Sequence, residues 1–273
     1  MGSGDLEQHE IFLSGLRVSV RSSCTKTSSY LRRHWAAATW PLVQPCATCE
    51  VEVISDALPR IVVAGEVVWS GGGAEDLAGG FEQLLYRIAL ARHKRQFAVF
   101  HAAALVSSGA AFVFAGPSGS GKSSLALTAV RRGWTYFSDE FVVTDGRQVW
   151  GWPRAIRFDP PKPGARCPDY LIGLDDDNDA PESSGDTVTP YYPVGAAALQ
   201  LEPCDAREVR FVRIERAKRT SLEPLSPTAG LKHLTEASFF EPTISLGALV
   251  GPGRTWEASW RHPDELIDLI ERT

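Results

Sequence analysis

Gly116-Pro117-Ser118-Gly119-Ser120-Gly121-Lys122-Ser123 satisfies the pattern GxxxxGK[ST], and it constrains the fold more tightly than any other stretch of the chain. An apolar run, Ala111 to Ala115, leads into it as a strand. A helix from Lys122 to Arg132 leaves it, stopped by Gly133 with two arginines in its last turn, where the helix dipole favours cations. The pattern has a mechanical reading. Glycines let successive backbone N–H groups turn inward around an anion, the helix N-terminus adds partial positive charge, Lys122 reaches the β and γ phosphates, and the Ser123 hydroxyl is placed to ligate Mg²⁺. The expected phosphate-binding residues are Gly116, Ser118, Gly119, Ser120, Gly121, Lys122, Ser123 and Ser124.

What surrounds the loop sets the sheet. Phe97 to Val106, a Ser107-Ser108-Gly109 turn and the strand Ala111 to Ala115 form a hairpin that runs into the loop. Downstream, Trp134 to Phe137 reads as a strand, and Phe141 to Thr144 and Gln148 to Trp150 flank Asp145-Gly146 as a tight hairpin. Hairpins on both sides of a strand-loop-helix unit imply a mixed sheet instead of an all-parallel one. Ala196 to Leu201 and Val209 to Ile214 read as strands, Ser226-Pro227 caps a helix reaching Ala237, and Pro263 to Glu271 forms the last helix. Ahead of this core, residues 1–72 read as a small β-rich lobe, with strands at Leu16 to Val20, Glu50 to Ile54 and a hairpin over Arg60 to Trp69 broken at Ala64-Gly65. Gly71 to Gly73 and Gly79-Gly80 bracket an expected joint. The core then occupies 80–273, entered by a helix with Leu84, Leu85, Ile88 and Ala91 at helical spacing up to about Arg95.

A phosphate loop says only that a nucleoside triphosphate binds, so the reaction must be read from nearby acids and bases. Asp139 and Glu140 follow the strand Trp134 to Phe137, expected beside the strand that carries the loop. One carboxylate at such a place can hold Mg²⁺ while the other accepts a proton from an attacking hydroxyl or water. Arg154 and Arg157 follow the Trp150-Gly151-Trp152-Pro153 turn and are candidates to neutralise a transferred phosphoryl group; Gly251-Pro252-Gly253-Arg254 is a candidate second loop over the site.

His101, the loop GPSGSGKS, a helix ending Arg131-Arg132-Gly133 and then Ser138-Asp139-Glu140 resemble the core of the bacterial HPr serine kinase/phosphorylase family. The resemblance is clearest from about Phe100 to Phe141, and the stretch Leu222 to Pro227 is similar to a divergent branch of HPr-kinase-related proteins, some encoded with peptide-modifying enzymes. It implies an α/β fold whose mixed-sheet core resembles the nucleotide-binding core of phosphoenolpyruvate carboxykinase. It also implies a kinase using ATP and Mg²⁺. Asp139 would be the general base, His101 would hydrogen-bond the acid pair, and Lys122 and Ser123 would serve the phosphates and the metal. Metal-side residues are then Ser123, Glu140 and Asp139. Two departures stand out: Glu140 occupies a position where HPr kinases carry Asp, and their glycine-rich signature downstream of the acid pair is absent.

Two functions fit these residues. The first is an ATP-dependent kinase acting on a hydroxyl, a Ser or Thr side chain or terminus of a peptide or small protein; the second is a non-catalytic or regulatory ATP-binding or ATPase module. Composition narrows the partners. With 28 Lys and Arg against 33 Asp and Glu the chain carries a formal charge of −5, which offers no broad footprint for nucleic acid. No apolar run approaches the roughly 18 residues of a membrane helix and no secretory signal precedes the fold, so the cytoplasm is the expected compartment. A myristoylation reading of Gly2 fails at Leu6, and a homo-oligomer is left open. Five cysteines do not make a disulfide framework, and Cys46-Ala47-Thr48-Cys49 lacks the second ligand pair of a zinc site. Gly173 to Pro190 reads as a mobile polar loop. Its Asp175, Asp177 and Asp179 resemble an EF-hand start, but Ala180 stands where Gly is needed and Asp186 where Glu is usual.

Overall fold

Turns that demand positive φ punctuate the chain. Ser108 and Gly109 take φ of 50° and 80°, the primed-turn angles that match the twist of paired strands. Gly146, with φ of 88°, serves the longer loop between Thr144 and Gln148, so both hairpins expected around the phosphate loop close on residues in the left-handed region. The computed structural model describes residues 6–14, 16–35, 47–56, 58–71, 74–94, 96–158, 191–192 and 194–273. The segment from 173 to 190, with the EF-hand-like aspartates, lies outside them, as does Cys46. Its partner Cys49 is half-buried, and burial raises its thiol pKa, with Glu50 adding to the effect.

The chain divides into two compact units, and the first holds residues 1–92. Here β1 (Glu7–Leu13), β2 (Leu16–Ser22), β3 (Ala47–Ile54), β4 (Arg60–Val63) and β5 (Glu66–Ser70) form one sheet in that order, with α1 (Thr25–His34) between β2 and β3. Residues alternate across the sheet, so Val18 and Val20 of β2 and Val51 and Val53 of β3 point inward together. The helix α2 (Ala74–His93) begins ten residues earlier than the periodicity of Leu84 and Leu85 indicates, and the expected joint at Gly79-Gly80 is instead helix. A Cβ on Gly80 would lie 3.0 Å from the Trp69 ring, so the glycine there makes room for an aromatic neighbour instead of a bend.

The second unit carries a mixed sheet. In chain order its elements are β6 (Ala98–Ser107), β7 (Ala110–Ala115), α3 (Lys122–Arg131), β8 (Thr135–Ser138), β9 (Phe141–Thr144), β10 (Gln148–Gly151), β11 (Ile156–Arg157), β12 (Tyr191–Tyr192), β13 (Cys204–Asp205), β14 (Val209–Arg216), β15 (Ser221–Pro224), α4 (Pro227–Ala237), β16 (Thr255–Trp260) and α5 (Pro263–Glu271). The main sheet runs β13-β10-β9-β6-β7-β14-β16-β15, with β8 also on β6 and with β11 and β12 paired apart. β7, β14 and β16 are mutually parallel, whereas β6 is antiparallel to β7, β8 and β9. Ala196–Ala198, expected as strand, is a single 3₁₀ turn, and only Leu199 makes a bridge, to Tyr136. Three consecutive alanines offer little side chain to a ladder, which suits a connector.

Alternation along β7 feeds two cores. Phe112 and Phe114 join Leu125, Leu127, Tyr136, Trp260 and Ile267, whereas Val113 joins Phe100, Phe137, Phe211 and Leu234. Ser226 caps α4 as its sequence indicates, its hydroxyl accepting from the Ala229 N–H at 3.3 Å. Arg132 at the end of α3 reaches Asp268 and Glu271 of α5, each at 2.6 Å, which pins the two helices beside each other. Among the described residues no helix is long and apolar enough to cross a membrane.

Candidate functional site: a phosphate loop facing an acid pair

The loop leaves β7 at Gly116 and enters α3 at Lys122 through Gly121, whose φ is 91°. A Cβ there would lie 2.2 Å from the Trp260 ring, and the Trp260 indole N–H donates to the Ser120 carbonyl at 3.1 Å. One tryptophan from β16 thus braces the turn from behind. Gly119, with φ of 79°, has nothing within 4 Å of an added Cβ. The two glycines therefore separate by substitution. Gly119→Ala should cost about 1–2 kcal/mol of backbone strain and no more. Gly121→Ala adds a clash with the brace, and is expected to weaken nucleotide affinity by about tenfold or more, which titration of a fluorescent ATP analogue checks. Equal affinities in the two variants would remove Trp260 from this role.

Lys122 folds back over the loop, its ammonium donating to the carbonyls of Gly116 at 2.9 Å and Pro117 at 3.2 Å. Its charge therefore sits over the two residues at which the loop begins.

The acid pair lies in a break of the sheet. β8 pairs with β6 at Ala104–Val106 and β9 pairs with it at Ala98–His101, and the chain crosses between them through Asp139 and Glu140, tied by Ala102 N–H to the Glu140 carbonyl at 3.2 Å. The acid-bearing strand was expected beside the loop strand; instead β6 stands between them, carrying His101 on the way. The carboxylate of Asp139 nonetheless reaches the loop. It is 2 % exposed, and its Oδ2 accepts from the Ser123 hydroxyl at 3.2 Å and from the Arg157 N–H at 3.1 Å, while Oδ1 accepts from the Tyr136 hydroxyl at 2.9 Å. Glu140 is the open member of the pair, with 26 % of its side chain exposed. Its Oε1 lies 3.7 Å from His101 Nε2. Burial, with the Lys122 and Arg154 charges adding to it against the pull of Asp139, pushes the His101 pKa down to about 4. The imidazole is therefore neutral at physiological pH and able to accept or donate one hydrogen bond at each nitrogen.

Arg154 sits behind the acids. It is 2 % exposed and donates to Glu140 Oε2 at 2.8 Å, lies 3.6 Å from Asp139 Oδ1, and bonds the Ala155 carbonyl at 3.3 Å. Its contacts are with the carboxylates, whereas the cavity over the loop is lined by Ser118, Lys122, Ser123, Asp139, Glu140, Arg157 and Arg216. Removing a charge from a buried cluster leaves its partners uncompensated, a loss of about 3–5 kcal/mol. Arg154→Met is expected to lower the unfolding free energy by that amount in urea titrations; a loss under about 1 kcal/mol would show that water or neighbours already compensate the acids.

The site also holds what the sequence did not single out. Arg216 lies at the C-terminal end of β14, one strand from β7, with its guanidinium 4.6 Å over the Trp260 ring. A cation at a strand's carboxyl end beside a phosphate loop is a signal that position alone carries, but it needs the strand order to be read. Tyr136 and Trp260 gave no signal of their own. Gly251-Pro252-Gly253-Arg254 does not line the cavity among the described residues; it turns the chain into β16, and Arg254 bonds the Ala248 carbonyl at 2.6 Å.

Ser123 and Asp139 together form an oxygen-only donor pair, the chemistry that Mg²⁺ takes. No group of three His, Cys, Asp or Glu side chains gathers among the described residues, and Mg²⁺ ordinarily needs only one or two carboxylates besides substrate phosphates.

No family model matches the chain, and no curated protein matches it. Among solved structures, the HPr(Ser) kinase/phosphatase from Coxiella burnetii is similar over 64% of this chain and 91% of that one, with 17% identity and a TM-score of 0.30. It is a distant neighbour, and the functional reading stands on the residues described above.

Proposed function

We propose that this chain is an ATP-dependent kinase that transfers the γ-phosphoryl group to a hydroxyl, that of a Ser or Thr in a peptide or small protein. The observation that carries the reading is one cavity in which Lys122, Ser123 and two carboxylates of unequal exposure converge. ATP would be held with its phosphates in the loop, where Lys122 and Arg216, which line the same cavity, would offset the negative charge of a loose phosphoryl transition state. Ser123 and Asp139 would hold Mg²⁺, which supplies charge neutralisation on the β and γ oxygens.

The acid pair divides its work by exposure. Both oxygens of Asp139 are already occupied by donors and the residue is buried, which suits a fixed anchor. Glu140 is open, tied to Arg154 by one oxygen and turned toward His101 with the other, which suits a base. This reverses the division that the family resemblance implies, where Asp139 takes the proton. In the step itself the acceptor oxygen forms a bond to the γ phosphorus, the bond to the β–γ bridging oxygen breaks with its electrons leaving on ADP, and the hydroxyl proton passes to Glu140. His101, neutral, is placed to hydrogen-bond that carboxylate.

Transfer of labelled γ-phosphate to hydroxyl-bearing peptides tests the reading. A labelled peptide is the expected result. Nucleotide binding without transfer across a broad peptide panel would instead support a regulatory ATP-binding module.

A further inference from the structure

We infer that the acceptor is held through an uncharged apolar or aromatic group next to its reacting hydroxyl, in a second cavity that meets the phosphate-loop cavity at His101. This rests on the kinase reading above and names the acceptor's chemistry. The second cavity has a volume of about 470 Å³, within the range of about 300–1,000 Å³ typical of built ligand sites. Its apolar walls are Phe211, Leu225, Leu234, Ala237, Phe239 and Trp256, and His101, Gly116 and Pro117 close the end that faces the loop.

Its position decides what enters. The Lys122 ammonium is bonded to the carbonyls of Gly116 and Pro117, and that lysine reaches the β and γ phosphates. The cavity therefore opens at the γ-phosphate end of the loop, where an acceptor must approach in line with the leaving oxygen. Its far wall is fixed to the catalytic strand. The Phe239 N–H donates to the Val99 carbonyl at 2.7 Å, and Ser238 bridges Phe100, the neighbour of His101. Phe239 keeps half of its surface exposed at the mouth and stacks edge-on to Phe141 at 5.7 Å.

Its charged lining residues are already paired, Arg213 with Glu257 and His233 with Glu236 at 3.3 Å, which leaves the apolar walls to set what the cavity prefers. Thr255 is different. It is 2 % exposed, lines the cavity, and its hydroxyl has no hydrogen-bond partner among the described residues. Its oxygen lies against Gly230 of α4, where an added Cβ would come within 2.5 Å of it, so the hydroxyl is packed on the helix and the cavity offers a ligand little polar demand there.

The test uses the full chain with fluorescein-labelled hexapeptides in which the residues flanking one Ser or Thr are Phe or Leu, or else Asp, Lys or Gly. Binding is read by anisotropy with Mg²⁺ and a non-hydrolysable ATP analogue, and transfer is read separately with labelled γ-phosphate. Apolar-flanked peptides are expected to bind about tenfold or more tightly, the share of one well-placed hydrophobic group. Ala237→Trp, which fills the cavity, and Phe239→Ala, which removes a half-exposed wall, should each erase that preference and leave affinity for the ATP analogue unchanged. Equal binding of all flanks, or a preference that survives Ala237→Trp, overturns the inference. Flank-selective binding without transfer supports the cavity assignment and overturns the kinase reading. Transfer without flank preference does the opposite, and a chain that neither binds nor labels any peptide loses both.

Discussion

Lys122→Ala is expected to lower phosphoryl transfer by about 10³-fold while the chain still folds. Removing one preorganised donor from a developing negative charge costs about 10²–10³ in rate, and this ammonium is the loop's own charge at the β and γ oxygens. The structural loss is smaller. Lys122 gives up hydrogen bonds to the Gly116 and Pro117 carbonyls, each worth about 0.5–1.5 kcal/mol. Lys122→Arg should not rescue activity, because a planar fork cannot replace a compact point charge under the loop. A second readout needs no turnover. The Lys122 charge helps hold the His101 pKa down near 4, so in Lys122→Ala the His101 resonance should titrate at a higher pH. Wild-type ATP consumption in the variant, under conditions where the parent is active, would remove the phosphate-loop assignment.

The parts of this molecule that were legible in its sequence are those where local chemistry decides the outcome. Gly109 and Gly146 announce hairpins because their φ angles exclude most other residues, and the strand, loop and helix around Lys122 agree with one another. α1 was not legible: Thr25–His34 is rich in Ser and Thr, poor helix formers, and it holds its shape while Leu31 and the following Trp35 are buried. The start of α2 was misread because glycines at 79 and 80 suggest a break, whereas the Trp69 ring against Gly80 makes the missing side chain useful inside a helix. In the site, Ser123, Asp139, Glu140 and Arg154 were singled out from the chain's pattern and His101 through the family resemblance, and their side chains lie together in the structure. Their exposures were not legible. Which carboxylate is enclosed depends on Tyr136 and the Arg157 N–H, and the brace behind the loop comes from Trp260, separated from Ser120 by 140 positions. Contacts at that distance leave no periodicity for a sequence to show.

That unequal enclosure makes the acid pair separable by experiment. If Asp139 anchors the metal side, Asp139→Asn keeps the shape and part of the hydrogen bonding to Tyr136 and Arg157, but loses the charge paired with Ser123. The Mg²⁺ concentration for half-maximal transfer should then rise by about tenfold or more, with much of the rate returning at saturating metal. Glu140→Gln keeps its contact to Arg154 through an amide oxygen yet cannot take the acceptor's proton, a role worth about 10²–10⁴ in rate. Its transfer should collapse at every Mg²⁺ concentration, with ATP affinity close to that of the parent. His101 supplies an internal check: Asp139 is the charge that raises its pKa against burial, Lys122 and Arg154, so Asp139→Asn should depress its titration further. Rate against Mg²⁺ for both variants, with thermal melts to confirm folding, decides between the two divisions of labour. A metal-insensitive, inactive Asp139→Asn beside a metal-rescuable Glu140→Gln would return the proton to Asp139 and make the open carboxylate the metal's.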